Sequence, residues 1–337
     1  MAQSPEVAVA MDWGGTWARA SVVDQNGVVL WSDRARNVRG ADRERLIRDA
    51  ESLLRQAIER CRGQQIAGVG IAVAGPVDAD TGTLYDPPNL PVLDGVSLKQ
   101  VWEPKLGYPV FVGNDANLAA LGEFNFGSGQ DARLKGKPCT TLVYVTVSTG
   151  VGGGVVERGQ LLLGAHGMAA EVGHMTIDYR DDAPECQCGN SGCLESLASG
   201  TAIARIARDR VAKSGTPSSL SVQDVQSITA ETVFEAAAQG DQLAQSVLDG
   251  AVKALSVGLT NLLHLFNPDL MVLGGGVTTG LTRSGLLSRI NSAMLERAMS
   301  QRHRDFVLVP SKLGDLAGMV GAASLVWKET GQLQDPD

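Results

Sequence analysis

Val7-Ala8-Val9-Ala10-Met11-Asp12-Trp13-Gly14-Gly15-Thr16 is an apolar run that ends in an aspartate, two glycines and a hydroxyl. The run reads as a strand, and the glycines after it read as a turn. Two glycines let the backbone approach a phosphate closely, and Thr16 adds a hydroxyl donor. Asp12 offers a hard oxygen ligand to a divalent cation, directly or through water. A plain hairpin with a structural aspartate is the competing reading of this stretch alone.

Next along the chain, extended runs at residues 18–23 and 28–32 are joined at Asn26-Gly27, a hairpin turn. Leu46, Ile47, Ala50, Leu53, Leu54, Ala57, Ile58 and Cys61 then recur at helical period. A strand over 68–73 ends in Gly75-Pro76, and residues 85–94, with Pro87, Pro88 and Pro91, read as an ordered loop. A strand at 110–112 runs into Gly113-Asn114-Asp115, where a helix opens. The order then restarts. Residues 142–147 form a strand, Ser148-Thr149-Gly150 turns, and 153–157 and 160–163 continue as strands. Helices are expected near 194–213, 231–239 and 242–266, with 213–223 a surface loop. A strand at 270–273 ends in Gly274-Gly275-Gly276, and another at 306–309 precedes a last helix near 316–327. This duplicated pattern predicts an α/β fold of two sheets with helices on their faces, each first strand leading into a glycine/threonine turn.

The composition suits such a fold: 337 residues, 44% hydrophobic, 20% charged, with a mean hydropathy near zero. It excludes a disordered, collagen-like or small disulfide-scaffold chain. Forty glycines, clustered at the turns above, mark close backbone approach. The net charge of −8 and the lack of a basic stripe argue against a nucleic-acid partner. The N-terminal residues lack a basic end followed by an apolar run, so no secretory signal is expected. The longest apolar region, 251–273, holds Lys253, His264, Asn267 and Asp269 and cannot span a membrane. Five cysteines, three of them within residues 186–193, suggest a reducing, cytoplasmic compartment and a metal site.

Three further stretches carry chemistry. Thr146-Val147-Ser148-Thr149-Gly150-Val151-Gly152-Gly153-Gly154 is a second glycine-hydroxyl turn after a strand. One such turn can be a bulge, but two at equivalent places suit a clamp on a polyphosphate chain. Gly113-Asn114-Asp115-Ala116-Asn117 places a carboxylate at a strand-to-helix junction, either as an N-cap or as an acceptor for a substrate hydroxyl proton. Glu171-Val172-Gly173-His174, with Cys186, Cys188 and Cys193, supplies one imidazole and three thiols. A His–Cys₃ set fits closed, structural, tetrahedral zinc, and a Cys-x-Cys redox pair is the alternative.

Taken in order, these stretches resemble the ROK family (repressor, open reading frame, kinase) of sugar kinases over nearly the whole chain. The resemblance rests on Asp12 to Thr16, Gly75-Pro76-Val77-Asp78, Pro88-Asn89-Leu90-Pro91 and Gly113 to Asn117. It continues through the spaced Gly150, Gly152, Gly154, Gly164 and Gly173 to the cysteine cluster and Leu194-Glu195. The family implies a two-lobed actin-like, ribonuclease H-like fold of duplicated βββαβα units with an interlobe cleft. The smaller N-terminal lobe would cover 1–116, joined by a C-terminal helix at 316–337. The larger would cover 117–315 and carry a zinc loop at 171–195.

The resemblance also implies roles. Asp115 would be the general base. Gly75, Asn89, Asn114, Asp115, Glu171, His174 and Glu195 would hold the sugar. Asp12, Gly14, Gly15, Thr16, Thr149, Gly150, Gly152 and Gly153 would hold the ATP phosphates and Mg²⁺, with Gly274, Gly275 and Gly276 lining the nucleoside pocket. His174, Cys186, Cys188 and Cys193 would ligate zinc, His174 facing a sugar hydroxyl with its other nitrogen. Trp13 departs from the small aliphatic residue usual between the aspartate and the glycines, and it either alters the nucleotide pocket or packs behind it.

The expected activity is ATP-dependent phosphorylation of a hexose 6-hydroxyl, glucose first. N-Acetylmannosamine, N-acetylglucosamine and fructose kinases share most of this machinery, and polyphosphate is an alternative donor. A sugar-sensing repressor would need a helix-turn-helix, and eleven residues before Asp12 are too few for one. A non-catalytic sugar-binding protein would leave both phosphate turns idle. A cytoplasmic homodimer through the second lobe is expected.

Overall fold

A computed structural model of the chain describes residues 6–213, 217–222 and 224–333. Residues 1–5, part of the 213–223 loop and the end of the 316–337 segment lie outside the described residues. The chain forms two compact units: one holds residues to Tyr144, Gly154–Ala170 and the segment from Ser311, the other Val145–Gly153 and Glu171–Pro310.

In the first unit, β1 (Glu6–Trp13), β2 (Trp17–Asp24) and β3 (Val29–Arg36) form an antiparallel meander. The turn between β2 and β3 is the Asn26-Gly27 hairpin, Gly27 adopting a φ of 76°. Helix α1 (Arg43–Arg60) follows, opened by the Asp42 side chain accepting from the Arg45 amide. Next come β4 (Gln65–Val73), the two-stranded ribbon of β5 (Val77–Asp78) and β6 (Thr83–Leu84), and α2 (Leu98–Leu106). β7 (Val110–Asn114) leads directly into α3 (Asp115–Asn125), and α4 (Ser128–Leu134) follows. The strand order is β3-β2-β1-β4-β7, with β1, β4 and β7 mutually parallel.

The central strand β1 is apolar on both faces because both are covered. Leu46, Ile47, Ala50, Leu53, Leu54 and Ala57 of α1 pack beneath Val7, Val9, Met11 and Trp13. The strand meets α11 (Ala317–Glu329) on its other face.

The second sheet combines β8 (Thr141–Val147), β9 (Val151–Glu157) and β10 (Gln160–Leu161) with two later strands. Helices α5 (Leu194–Ala198), α6 (Gly200–Lys213), α7 (Ala230–Ala238) and α8 (Gln242–Phe266) precede β11 (Leu270–Gly274). After it come α9 (Gly276–Arg283), α10 (Leu286–Arg297) and β12 (Val307–Pro310). The order β10-β9-β8-β11-β12 repeats that of the first sheet, so the duplicated α/β reading holds. α8 is the core of the second unit, with α5, α6, α7 and α10 all packed on it.

The helices differ from expectation in two ways. The single helix expected over 194–213 is two. Ser199 takes an extended conformation (ψ 163°), and its Oγ accepts from the Ala202 amide to open α6. α2, α4, α9 and α10 are helices that local pattern did not reveal. No helix among the described residues is long and apolar enough to cross a membrane.

Within the first unit, α3 and α11 meet along a close seam lined by glycines. A Cβ on Gly122 of α3 would lie 2.8 Å from the Gly321 nitrogen of α11. One on Gly321 would overlap the Leu118 carbonyl, and one on Gly70 of β4 would overlap that of Ala322. Glu123, fully buried, reinforces this seam: Oε1 accepts from Ser311 Oγ and the Leu313 amide, and Oε2 from the Ser128 amide. Gly321→Ala is therefore expected to destabilise the protein by about 2–3 kcal/mol through overpacking, a loss read as a lowered urea midpoint.

Candidate functional site

The sheet of the first unit sets up the site at one edge. Ladder register pairs Trp13 with Val73 and Val73 with Asn114, so the three parallel strands end level with one another. The turn after β1, Gly75 just beyond β4 and Asp115 after β7 all leave the sheet there, the edge at which α/β folds place ligand-binding groups.

Each sequence-predicted residue of this unit has a defined position. Asp12 ends on the face carrying Arg19, whose Nη1 lies 3.5 Å from Asp12 Oδ2. Gly318 at the start of α11 allows the approach, since a Cβ there would stand 3.0 Å from Asp12 Cγ. Burial raises the Asp12 carboxyl above its ordinary range; Arg19 opposes the rise and Asp315 adds to it.

Gly14, Gly15 and Thr16 form the turn between β1 and β2, closed by the Gly14 amide donating to the Trp17 carbonyl at 3.0 Å. Gly15 lies against Asn89: a Cβ at residue 15 would sit 2.8 Å from Asn89 Cβ. The predicted phosphate turn and the predicted sugar loop are thus immediate neighbours. Gly75, at a φ of 140°, is pressed on Pro87 of the same loop. Its carbonyl accepts from Asn114 Nδ2 at 3.2 Å.

Asn114, and not Asp115, is the N-cap of α3, its Oδ1 accepting from the amides of Ala116 and Asn117. Asp115 occupies the first turn, where Oδ1 accepts from the Ala116 amide at 2.8 Å. Asn114, and not Asp115, is therefore the cap of α3.

Trp13 packs behind the turn. Its side chain is fully buried and stacks on Trp102, ring centroids 5.6 Å apart. The indole Nε1 donates to Asn37 Oδ1 at 3.2 Å, while Asn37 Nδ2 donates to the Gly14 and Gly15 carbonyls.

In the second unit the Ser148-Thr149-Gly150 turn is held from three sides. The Gly200 amide donates to the Ser148 carbonyl at 2.7 Å, and Thr201 Oγ1 to the Thr149 carbonyl at 2.8 Å. Glu195 Oε2 accepts from the Val151 amide at 2.8 Å. A Cβ on Gly150 would press on that carboxylate. Gly152 and Gly153 continue into β9. Gly274 ends β11, Gly275 caps α9 at a φ of 88° against the Val147 carbonyl, and Gly276 begins that helix with open space beside it. The second glycine turn and the Gly274–Gly276 corner are therefore adjacent.

Glu171, His174 and Glu195 also come together. Loss of solvation raises the Glu171 carboxyl above the ordinary range; His174 opposes this and Glu195 reinforces it.

His174, Cys186, Cys188 and Cys193 present donor atoms that all lie within 4.8 Å of one another. Cys186 Sγ is 3.6 Å from His174 Nδ1, and Cys188 Sγ is 3.7 Å from Cys193 Sγ. Tetrahedral zinc with Zn–S bonds near 2.3 Å separates its sulfurs by about 3.8 Å, so the set fits that ion. A disulfide, at roughly 2 Å, does not fit, and all five cysteines are free thiols. Burial pushes the Cys193 thiol up to about 12 and raises that of Cys186. The Asn190 backbone N–H brings Cys188 down to about 7. Thiols buried together in this way become thiolates readily only beside a cation. With Nδ1 turned to the cluster, His174 Nε2 is the nitrogen left to face elsewhere.

Sequence reasoning missed Asn37, Arg19, Gly318, Gly200 and Thr201. Arg19 faces Asp12 across the β1–β2 ladder, and the others reach their sites from distant parts of the chain. None belongs to a local motif, and the first three are visible only once strand register and the return of α11 are known.

The chain is 32% identical over 335 residues to a glucokinase of Thermotoga maritima, covering 96% of this chain and 98% of that one. It is 31% identical over 320 residues to a putative xylose repressor of a Caldicellulosiruptor species, covering 94% of this chain and 77% of the repressor. A ROK family glucokinase from Streptomyces griseus, crystallised with glucose and AMPPNP, superposes with a TM-score of 0.76 at 32% identity, covering 95% of this chain and 98% of that one. The ROK family itself matches residues 8–329, and the chain belongs to it.

Proposed function

We propose that the protein is an ATP-dependent hexose kinase that phosphorylates the sugar 6-hydroxyl, with glucose the first candidate. The observation that carries this reading is the junction of the first unit. Asp115, Asn114, Gly75 and Asn89 gather at the sheet edge beside the Gly14–Gly15 turn, so a hydroxyl acceptor and a phosphate cradle share one place. The similarity to glucokinases from Thermotoga maritima and Streptomyces griseus supports the choice of sugar.

In this reading the Asn89 and Asn114 carboxamides of the first unit pair with sugar hydroxyls, and Glu171, Glu195 and His174 Nε2 carry the same chemistry in the second. Carboxamides, carboxylates and imidazole supply the mix of donors and acceptors a polyol needs. Asp115 accepts the 6-hydroxyl proton as that oxygen attacks the γ-phosphorus and the bond to the β-phosphate oxygen breaks. The amides of the Gly14–Gly15 turn stabilise phosphate charge, and Asp12 would hold a magnesium ion that neutralises the nucleotide. Zinc would brace the loop carrying Glu171, His174 and Glu195, and the free thiols suit a reducing cytoplasm.

Asp115→Asn removes the proton acceptor while keeping size and the helix start. Its kcat is expected to fall about 10³-fold with sugar affinity nearly unchanged. A coupled assay over glucose, fructose, N-acetylglucosamine and N-acetylmannosamine, with ATP or polyphosphate, measures this and identifies the substrate. Turnover near that of the wild type would refute the base assignment. Sugar binding without any phosphoryl transfer would move the protein to the sensing side of its family, where the xylose repressor lies.

Cys188→Ser is expected to lower zinc content below one ion per chain and to raise the sugar KM. Native mass spectrometry reads the first and the coupled assay the second. Unchanged stoichiometry would remove zinc from the account.

A further inference from the structure

We propose that Asn37 is a positioning residue for the nucleotide phosphates and that Trp13 sets its orientation. The inference rests on the kinase reading above and adds to it two residues that touch no substrate.

Both ends of the Asn37 carboxamide are engaged. Nδ2 donates to the Gly14 carbonyl at 2.8 Å and to the Gly15 carbonyl at 2.9 Å. Oδ1 accepts the Trp13 indole N–H at 3.2 Å. The backbone amide of Asn37 donates to the Thr16 carbonyl at 2.9 Å. One residue thereby draws three consecutive carbonyls of the glycine turn to its own side.

Peptide planarity turns this into a statement about the opposite side. In a trans peptide the N–H points away from the preceding C=O. With the carbonyls of Gly14 and Gly15 bound to Asn37, the amides of Gly15 and Thr16 face the other way. Those two amides donate to no group among the described residues. Successive backbone N–H groups aimed together make an anion-binding nest. Glycines at 14 and 15 would otherwise sample many orientations, and the fixed carbonyls select one.

Asparagine is required by the pattern. The site asks for two donors toward carbonyls and one acceptor toward an indole, and an asparagine side chain supplies both from one rigid plane. Trp13 settles which end faces which way. Its N–H can only donate, so it takes Oδ1 and leaves Nδ2 for the turn. The Trp102 stack holds the indole in place.

The test is calorimetric binding of AMPPNP with Mg²⁺ in the presence of saturating sugar, together with steady-state kinetics. Asn37→Asp keeps shape and the acceptor for Trp13 but replaces both donors with an acceptor facing two carbonyls. It is expected to weaken AMPPNP binding at least about tenfold and to raise the ATP KM in step, while sugar affinity and kcat stay within about twofold. Trp13→Phe keeps the stack and removes only the indole donor, with about threefold weaker nucleotide binding expected.

Nucleotide affinity of Asn37→Asp within twofold of wild type would overturn the proposal. So would equal losses of sugar affinity and nucleotide affinity, the mark of a general structural role. If Asn37→Asp does not fold, Trp13→Phe decides alone, and unchanged AMPPNP binding overturns the proposal. Failure of the wild type to bind AMPPNP with any sugar would instead refute the kinase reading on which the inference stands.

Discussion

The candidate site depends on strand register. Three parallel strands of the first sheet end level because Trp13, Val73 and Asn114 are laterally paired. A slip of one residue in any of them would carry its exit out of line and turn its side chains to the wrong face of the sheet. The one irregularity between β1 and β4, at Val7/Ala8, lies at the far end of the ladder. The ladder is regular where three chain segments must converge, and the slack is placed where nothing converges.

Register alone does not complete the edge, because Asp12 and Asn114 need neighbours that the sheet does not supply. α11 provides one. Its close seating over Gly70, Gly122 and Gly321 brings Gly318 against the Asp12 carboxylate. Any side chain that lifted α11 from the sheet would also alter the surroundings that raise the Asp12 carboxyl. The buried Glu123 serves the same end from the other direction, tying the segment at Ser311–Leu313 to α3. The C-terminal helix is thus a structural part of the site's foundation, though it contributes no predicted ligand.

Features legible in the sequence are the local ones. The strands around the two glycine turns, the hairpin at Asn26-Gly27 and the long helix α8 carry their own periodicity and punctuation. The unrevealed helices lack it. α4, α9 and α10 begin after glycines with no side-chain cap, and α2 contains Pro104. Ser199 reads as one more residue of a helix, yet it ends α5 and opens α6. The same distinction governs the site. Its glycines, Asn89, Asp115 and the cysteine cluster sit in short motifs whose chemistry is evident from spacing. Asn37 follows an edge strand in Arg36-Asn37-Val38-Arg39 and acquires meaning only by lying beside a turn 22 residues away.

The tryptophans show why that neighbour matters. Trp13, Trp102 and Trp327 all have fully buried side chains. The Nε1 atoms of Trp102 and Trp327 find no acceptor among the described residues, and each unmade bond costs about 1–3 kcal/mol. The fold tolerates that cost twice for the sake of packing. At Trp13 it does not, and the acceptor it supplies is the carboxamide whose other end holds Gly14 and Gly15. Packing would be equally served by a ring with no donor, such as phenylalanine. The indole N–H therefore has its physical role in orienting Asn37, and through Asn37 the peptide planes of the turn. The bulk of residue 13 extends the rigidity of the Trp102 stack to the one segment of the sheet edge that is built from paired glycines.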